Sequence, residues 1–240
     1  FLAMLAHELR NPLAPLRNAA DLLKLLAFSR DELQGVEDVV DRQVAALTRL
    51  VDDLLDVSRI TRGKIELRRE PISVAELLAR AVELSQPLLD SRSHQLHVNV
   101  PAEELSLDGD LTRLTQVLAN LLNNAAKYTP PGGEVSLSAW RENGDVVVCV
   151  QDNGIGIAPQ QLSRVFELFT QLDTAHDRSH GGLGVGLTLV RSLVEMHGGT
   201  VRAYSDGAGR GCRFNVRLPA APAAPLLRHA PEPMARRAAH

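Results

Sequence analysis

Residues 146–157 read Val-Val-Val-Cys-Val-Gln-Asp-Asn-Gly-Ile-Gly-Ile, and this stretch decides the fold of the larger part of the chain. Its apolar, β-branched start predicts a strand, which ends in a carboxylate followed by two flexible glycines. Glycine lets the backbone come close to a flat ligand while Asp152 accepts a hydrogen bond, a need that the exocyclic amine of adenine meets. A plain turn, with glycine supplying positive φ, is the alternative. Upstream, the Pro130-Pro131-Gly132-Gly133 turn leads into alternating Val135, Leu137 and Ala139, an antiparallel partner strand. Downstream, Gly181-Gly182-Leu183-Gly184-Val185-Gly186-Leu187 feeds a helix that ends near His197 at Gly198-Gly199. A glycine run entering a helix directs N–H groups and the positive helix end at an anion, and no Lys-Ser/Thr follows to make it a Walker loop. Two last strands, 201–204 and 212–218, flank Gly207-Ala208-Gly209.

The helix expected from about Asp110 to Tyr128 has two faces. Leu114, Leu118, Leu121, Leu122 and Ala125 form a core side, while Asn120, Asn124 and Lys127, spaced by four and three, share a polar side. Two amide oxygens suit a hard cation such as Mg²⁺ that also takes substrate phosphates, and Lys127 adds a point charge for those phosphates. Simple solvation of an Asn-rich face is the alternative. Ile65 and Leu67 predict a strand after Arg62-Gly63-Lys64, and Ser73-Val74-Ala75-Glu76 has capping-box spacing ahead of a helix through Leu78, Val82 and Leu89. Leu96, Val98 and Val100 alternate as another strand. Phe166 and Phe169, three apart, are expected on one helical face and in the core, and residues 170–181 read as a loop by composition. These elements predict an α/β sandwich, with helices on one face of a mixed, largely antiparallel sheet.

Ahead of this domain, Leu2, Leu5, Leu9, Leu13, Leu16, Ala20 and Leu23 make one apolar stripe on a first helix, with His7 roughly opposite it and Asn11 one turn further on. Glu8 adjoins the histidine, and Pro12 removes the backbone bond to its carbonyl, so a bend is expected there. After a break near Ser29, a second helix carries Val36, Val40, Val44, Leu47, Val51 and Leu54 at coiled-coil spacing. Two helices cannot bury such seams alone. A homodimer pooling two hairpins into a four-helix bundle completes the core, and packing on the second domain is the alternative. The expected division is a helical hairpin over 1–61, a sandwich domain over 62–219, and an Ala/Pro-rich linker or tail over 220–240.

With 45% hydrophobic and 23% charged residues, the composition is that of an ordinary soluble globular protein. A net charge of −3 and 3% aromatic content argue against a nucleic-acid partner. No apolar run approaches the roughly 20 residues of a membrane span, so a cytoplasmic fragment is expected, with any membrane anchor in a missing N-terminal region. Cys149 and Cys212 lack metal spacing and read as buried thiols in a reducing compartment.

Taken in order, His-Glu-Leu-Arg-Asn-Pro (7–12), Asn-Leu-Leu-Asn-Asn-Ala-Ala-Lys-Tyr (120–128), Asp-Asn-Gly-Ile-Gly-Ile (152–157), the phenylalanine pair and Gly-Leu-Gly-Val-Gly-Leu (182–187) resemble the boxes of two-component sensor histidine kinases. The resemblance covers nearly all of the chain up to Pro219. It implies a dimerisation and phosphotransfer hairpin followed by an ATP-binding domain of the gyrase, chaperone and mismatch-repair ATPase superfamily. By that resemblance His7 is the phospho-acceptor, Glu8 the base, and Asn11 the residue that orients water when the phosphorylated partner is dephosphorylated. Asn120 and Asn124 would hold Mg²⁺, Lys127 and Tyr128 would lie at the nucleotide, and Asp152 would read adenine. Gly154, Gly156, Gly182, Gly184 and Gly186 would shape pocket and lid, with Arg178 the basic lid residue and His180 second to it. ATP and Mg²⁺ are the implied cofactors, and a second copy of the chain and a response-regulator receiver domain the implied partners. An ATP-driven conformational machine of the same superfamily, or a dimeric docking scaffold that has lost catalysis, are the competing readings.

Overall fold

The computed structural model describes residues 12–20, 23, 30–61, 65–100, 104–170 and 184–221. Residues 12–20 are helical (α1), and α2 spans Arg30–Thr61 without interruption. On α2 the seam positions Val36, Val40, Leu47 and Leu54 are half-buried, while Val44 and Val51 are 48% and 45% exposed. Leu55 joins them at 47%, and the spacing of 44, 51 and 55 keeps all three on one side of the helix.

Residues 65–69 run without regular structure, and the strand expected around Ile65 and Leu67 starts later, as β1 (Glu70–Ser73). It pairs antiparallel with β3 (Ser106–Gly109) in a two-stranded sheet. α3 (Val74–Ser91) follows directly. Ser73 is its N-cap, yet its side chain makes no capping bond. Ser73 is already held in the β1 pairing, the Val74 N–H donates to the Leu105 carbonyl, and Glu76 faces Arg80 one turn on, so the capping box does not form.

The main sheet has the order β2-β4-β5-β7-β6, from β2 (Gln95–Asn99), β4 (Glu134–Glu142), β5 (Asp145–Asp152), β6 (Thr200–Tyr204) and β7 (Cys212–Pro219). The β2–β4 pair is parallel and every other pair is antiparallel, which matches the mixed, largely antiparallel sheet read from the sequence. α3, α4 (Leu111–Tyr128) and α6 (Gly186–Met196) pack on one face, where Leu77, Leu78, Leu118, Leu122, Leu189 and Leu193 meet Val135, Leu137, Val148, Val150 and Val216. Each such leucine, removed from water, contributes about 2 kcal/mol, so this layer supplies most of the domain's cohesion.

The segment after β5 departs from expectation. Only Pro159–Leu162 is helical (α5), and turns follow through 169. Phe166 packs edge-on against Phe214, with centroids 6.3 Å apart, but Phe169 sits at φ 65° and donates its N–H to the Gly184 carbonyl at 3.1 Å. The two rings therefore do not share a helical face, because Phe169 is used to close a turn against the entrance to α6.

Two joints link α2 and the segment after it to the sandwich. Asp56, 6% exposed near the end of α2, accepts from Arg113 Nη1 at 2.7 Å and Gln116 Nε2 at 3.0 Å, both on α4. In residues 65–69, Arg69 donates to the Met196 carbonyl at the end of α6, and the Arg68 N–H donates to Asp110.

Candidate functional site

α4 carries one wall of the site, and its ends are fixed by different means. Asp110 caps the first turn by accepting the Arg113 N–H, and the Asp110 N–H donates to His197 Nε2 at 3.0 Å. His197 lies within hydrogen-bond reach of the Leu193 carbonyl through Nδ1, so the neutral ring with its proton on Nδ1 satisfies both contacts. Burial pushes His197 below the ordinary imidazole range, against the opposing pull of the Leu193 carbonyl. At the other end, Arg92 donates to the Lys127 carbonyl at 2.8 Å and His94 meets the Ala126 carbonyl at 2.8 Å, covering last-turn carbonyls that have no partner within the helix. These contacts set the helix end where Lys127 and Tyr128 stand. The Lys127 ammonium lies 5.2 Å from the centre of the Tyr128 ring.

On the polar side of α4, Asn120 and Asn124 are half-buried one turn apart. The Asn120 Nδ2 is shut off from solvent and has no hydrogen-bond partner among the described residues. A buried donor left unpaired costs about 1–3 kcal/mol, which a bound group can recover. Among the described residues no group of three His, Cys, Asp or Glu could hold a metal ion.

The second wall is the turn after β5. The Tyr128 carbonyl accepts the Ile155 N–H at 3.1 Å, tying the turn to the end of α4. Asp152, 8% exposed, accepts the Gly154 N–H at 2.9 Å and the Cys212 N–H at 3.2 Å, both on Oδ1. Its second oxygen receives neither. Burial raises the Asp152 carboxyl above its ordinary range, and the two N–H groups oppose that shift. A Cβ at Gly154 would run into the Tyr128 carbonyl, and one at Gly156, which has φ +71°, into the Gly207 carbonyl. The backbone here is packed too closely for any other residue. Gly184, at φ +65°, meets the Thr170 backbone, and Gly186 opens α6 with open space around it.

The structure thus brings Asn120, Asn124, Lys127 and Tyr128 on α4 together with Asp152, Gly154 and Gly156 on the adjoining turn, through the bond from Ile155 to Tyr128. Gly184 and Gly186 stand at the start of α6. His7, Glu8, Asn11, Arg178 and Gly182 lie outside the described residues. Cys212 and Ser205, next to Asp152 on the far side of the turn, have no motif in the sequence to announce them. Cys212 is half-buried rather than fully buried, and its thiol is pushed up to about 12, first by burial and then by the Asp152 carboxylate. Cys149 is buried and raised for the first of these reasons.

A buried acid on a glycine turn beside an Asn-bearing helix is the arrangement that the resemblance to ATP-binding domains of the gyrase and chaperone type leads one to expect. Residues 109–222 match the family "Histidine kinase-, DNA gyrase B-, and HSP90-like ATPase", and residues 1–63 match the "His Kinase A (phospho-acceptor) domain". The chain is 33% identical over 235 residues, 97% of its length, to the histidine protein kinase DivJ of Caulobacter vibrioides, and covers 39% of that protein. Among solved structures, full-length ShkA in complex with AMPPNP superposes with a TM-score of 0.70 at 32% identity, over 95% of this chain and 47% of that one. The mycobacterial sensor histidine kinase MprB superposes with a TM-score of 0.55 at 31% identity, over 64% of this chain and 99% of that one. The chain belongs to the sensor histidine kinases and carries their catalytic core. It spans about two fifths of the length of DivJ.

Proposed function

We propose that the chain is an ATP-dependent protein histidine kinase that phosphorylates its own His7 and passes the phosphoryl group to an aspartate of a response-regulator receiver domain. The observation that carries the reading is the pairing of Asp152, with one carboxylate oxygen left over, and the orphaned Asn120 amide on one ATP-type fold, behind a phospho-acceptor hairpin. Asp152 accepts from the adenine amine. Asn120 and Asn124 would hold Mg²⁺, which when bound offsets the charge of the phosphates. Lys127, at the end of the same helix face, adds positive charge there. A neutral imidazole nitrogen of His7 donates its electron pair to form a bond to the γ-phosphorus, the bond from that phosphorus to the β–γ bridging oxygen breaks, and ADP leaves with the electron pair of the broken bond. The ring proton passes to Glu8. An ordinary histidine is largely neutral at pH 7, so no perturbed pKa is needed.

His7 and the nucleotide belong to different parts of the chain, so the sandwich moves against the hairpin during the cycle. The exposed stripe of Val44, Val51 and Leu55 on α2 supports a homodimer in which a second hairpin covers it. Asn11, one turn past His7, would orient water for dephosphorylation of the regulator, which adds phosphatase activity. The ATP consumed places the reaction in the cytoplasm, and no helix among the described residues is long and apolar enough to cross a membrane. Incubation with γ-labelled ATP and a panel of receiver domains is the test. Acid-labile, alkali-stable label on the chain that moves to a receiver domain supports the proposal, whereas ATP turnover with no protein-bound label would assign the chain to the ATP-driven machines.

A further inference from the structure

The turn that carries Asp152 does not hold its shape alone. The β6–β7 connection, residues 205–211, lies across it and is fastened at several points. The Gly209 N–H donates to the Ile155 carbonyl at 2.6 Å, and the Gly211 N–H donates to the Gly154 carbonyl at 3.0 Å. Close approach is built in as well: a Cβ at Gly156 would strike the Gly207 carbonyl, and one at Gly211, at φ +67°, would strike the Asp152 carbonyl. One side chain joins both sides. Ser205 Oγ accepts the Ile157 N–H at 2.9 Å and, more weakly, the Gly207 N–H at 3.4 Å, and its own proton goes to the Gly211 carbonyl at 2.7 Å. A hydroxyl has one donor and two acceptor positions, so Ser205 is fully used, and two of its partners, Ile157 and Gly211, are buried.

We infer that Ser205 is a positioning residue for nucleotide recognition: it clamps the β6–β7 connection onto the 152–157 turn and so fixes the direction in which Asp152 presents its second oxygen. The coupling is short and continuous. Ser205 holds Gly211, the next residue supplies the Cys212 N–H that grips Asp152 Oδ1, and Gly211 also holds Gly154, the other donor to that oxygen. Without the hydroxyl, the Ile157 N–H and the Gly211 carbonyl lose their partner inside the protein, and the two segments are free to separate. The acid then still exists, but its angle to the base is no longer fixed. The first consequence is weaker and less selective binding of the base, and the chemical step at the phosphate end is spared.

This inference rests on the reading that Asp152 selects adenine. The test compares Ser205→Ala, Ser205→Thr and Ser205→Val in the full chain, with Val having the shape of Thr but no hydroxyl. Dissociation constants for ATP and GTP come from displacement of a fluorescent nucleotide, and KM and kcat from autophosphorylation. In Ser205→Ala the KM for ATP should rise about tenfold with kcat at saturation kept within about twofold, the size of effect one lost hydrogen-bonding group produces. The preference for ATP over GTP should shrink by a similar factor. Ser205→Thr should bind ATP at least about threefold more tightly than Ser205→Val, because only the former keeps the hydroxyl. A partly unfolded preparation lowers kcat and leaves the ATP-to-GTP ratio alone, so an unchanged ratio, or equal binding by the Thr and Val variants, overturns the inference. A wild-type chain that binds GTP as well as ATP would instead remove the adenine reading itself.

Discussion

Replacing Asp152 by Asn should move nucleotide affinity and the stability of the empty protein in opposite directions. Oδ1 of Asp152 accepts the Gly154 and Cys212 N–H groups, so in Asp152→Asn the single amide oxygen must take that place and the NH₂ must take the other. A charge-assisted bond to the adenine amine, worth about 1.5–3 kcal/mol, is lost, and a donor then faces a donor at a further 1–3 kcal/mol or so. A total of about 2.5–6 kcal/mol corresponds to about 60- to 20,000-fold in Kd. The empty protein answers to a different term. Burial raises the Asp152 pKa above its ordinary 3.8, so the folded state holds a proton more readily than the unfolded chain. The associated stability is full below pH 3.8 and is lost as the pH rises through the folded value, which leaves the ionised acid as a cost at neutral pH. Asn carries no such cost, and the nucleotide-free midpoint of Asp152→Asn at pH 7 should equal or exceed that of the wild type. Calorimetric titration with a non-hydrolysable ATP analogue and Mg²⁺, with thermal melts run without nucleotide, reads both quantities. Affinity within about threefold of wild type, or a lowered midpoint that accounts for the lost binding, would refute the assignment of Asp152.

His197 predicts acid sensitivity in the joint between α6 and α4. Burial holds its pKa below 6.5, so as the pH falls under 6.5 the unfolded chain takes up a proton that the folded chain resists, and the stability that the neutral ring provides is progressively lost. Denaturant melts should show wild type losing stability below pH 6.5 relative to His197→Gln, and parallel curves would contradict this. Asp56 and Arg113 should show a coupling energy of about 1–2 kcal/mol in a double-mutant cycle with alanine, since the pair is mostly covered and links α2 to α4; zero coupling would mean that the contact contributes nothing in solution.

The sandwich was legible because its period signals are long and unambiguous. Asp110 to Tyr128 carries a leucine side and an asparagine side, and 146–150 is a pure strand run, so both elements sit where the pattern puts them. The pair β1 and β3 was not, because four-residue strands with mixed burial carry almost no period, and Ile65 and Leu67 offered a stronger alternation nearby. The capping box at Ser73 failed for a tertiary reason, since β pairing had already committed that residue. Phe169 failed because a positive φ cannot be inferred for an aromatic residue from spacing. In the candidate site, Asp152 closes β5 and Asn120 lies on the polar side of α4, where the strand run and the helix period put them. Ser205, Arg92 and His94 act by holding backbone from a distance in sequence, and no local pattern encodes such contacts.

The role proposed for the ATP domain is to phosphorylate His7. Wild-type chain and His7→Gln are incubated side by side with γ-labelled ATP, after nucleotide titration shows that both bind it equally. Acid-labile, alkali-stable label is expected on the wild type and none on His7→Gln, and label of that kind persisting in His7→Gln would contradict the role proposed for His7.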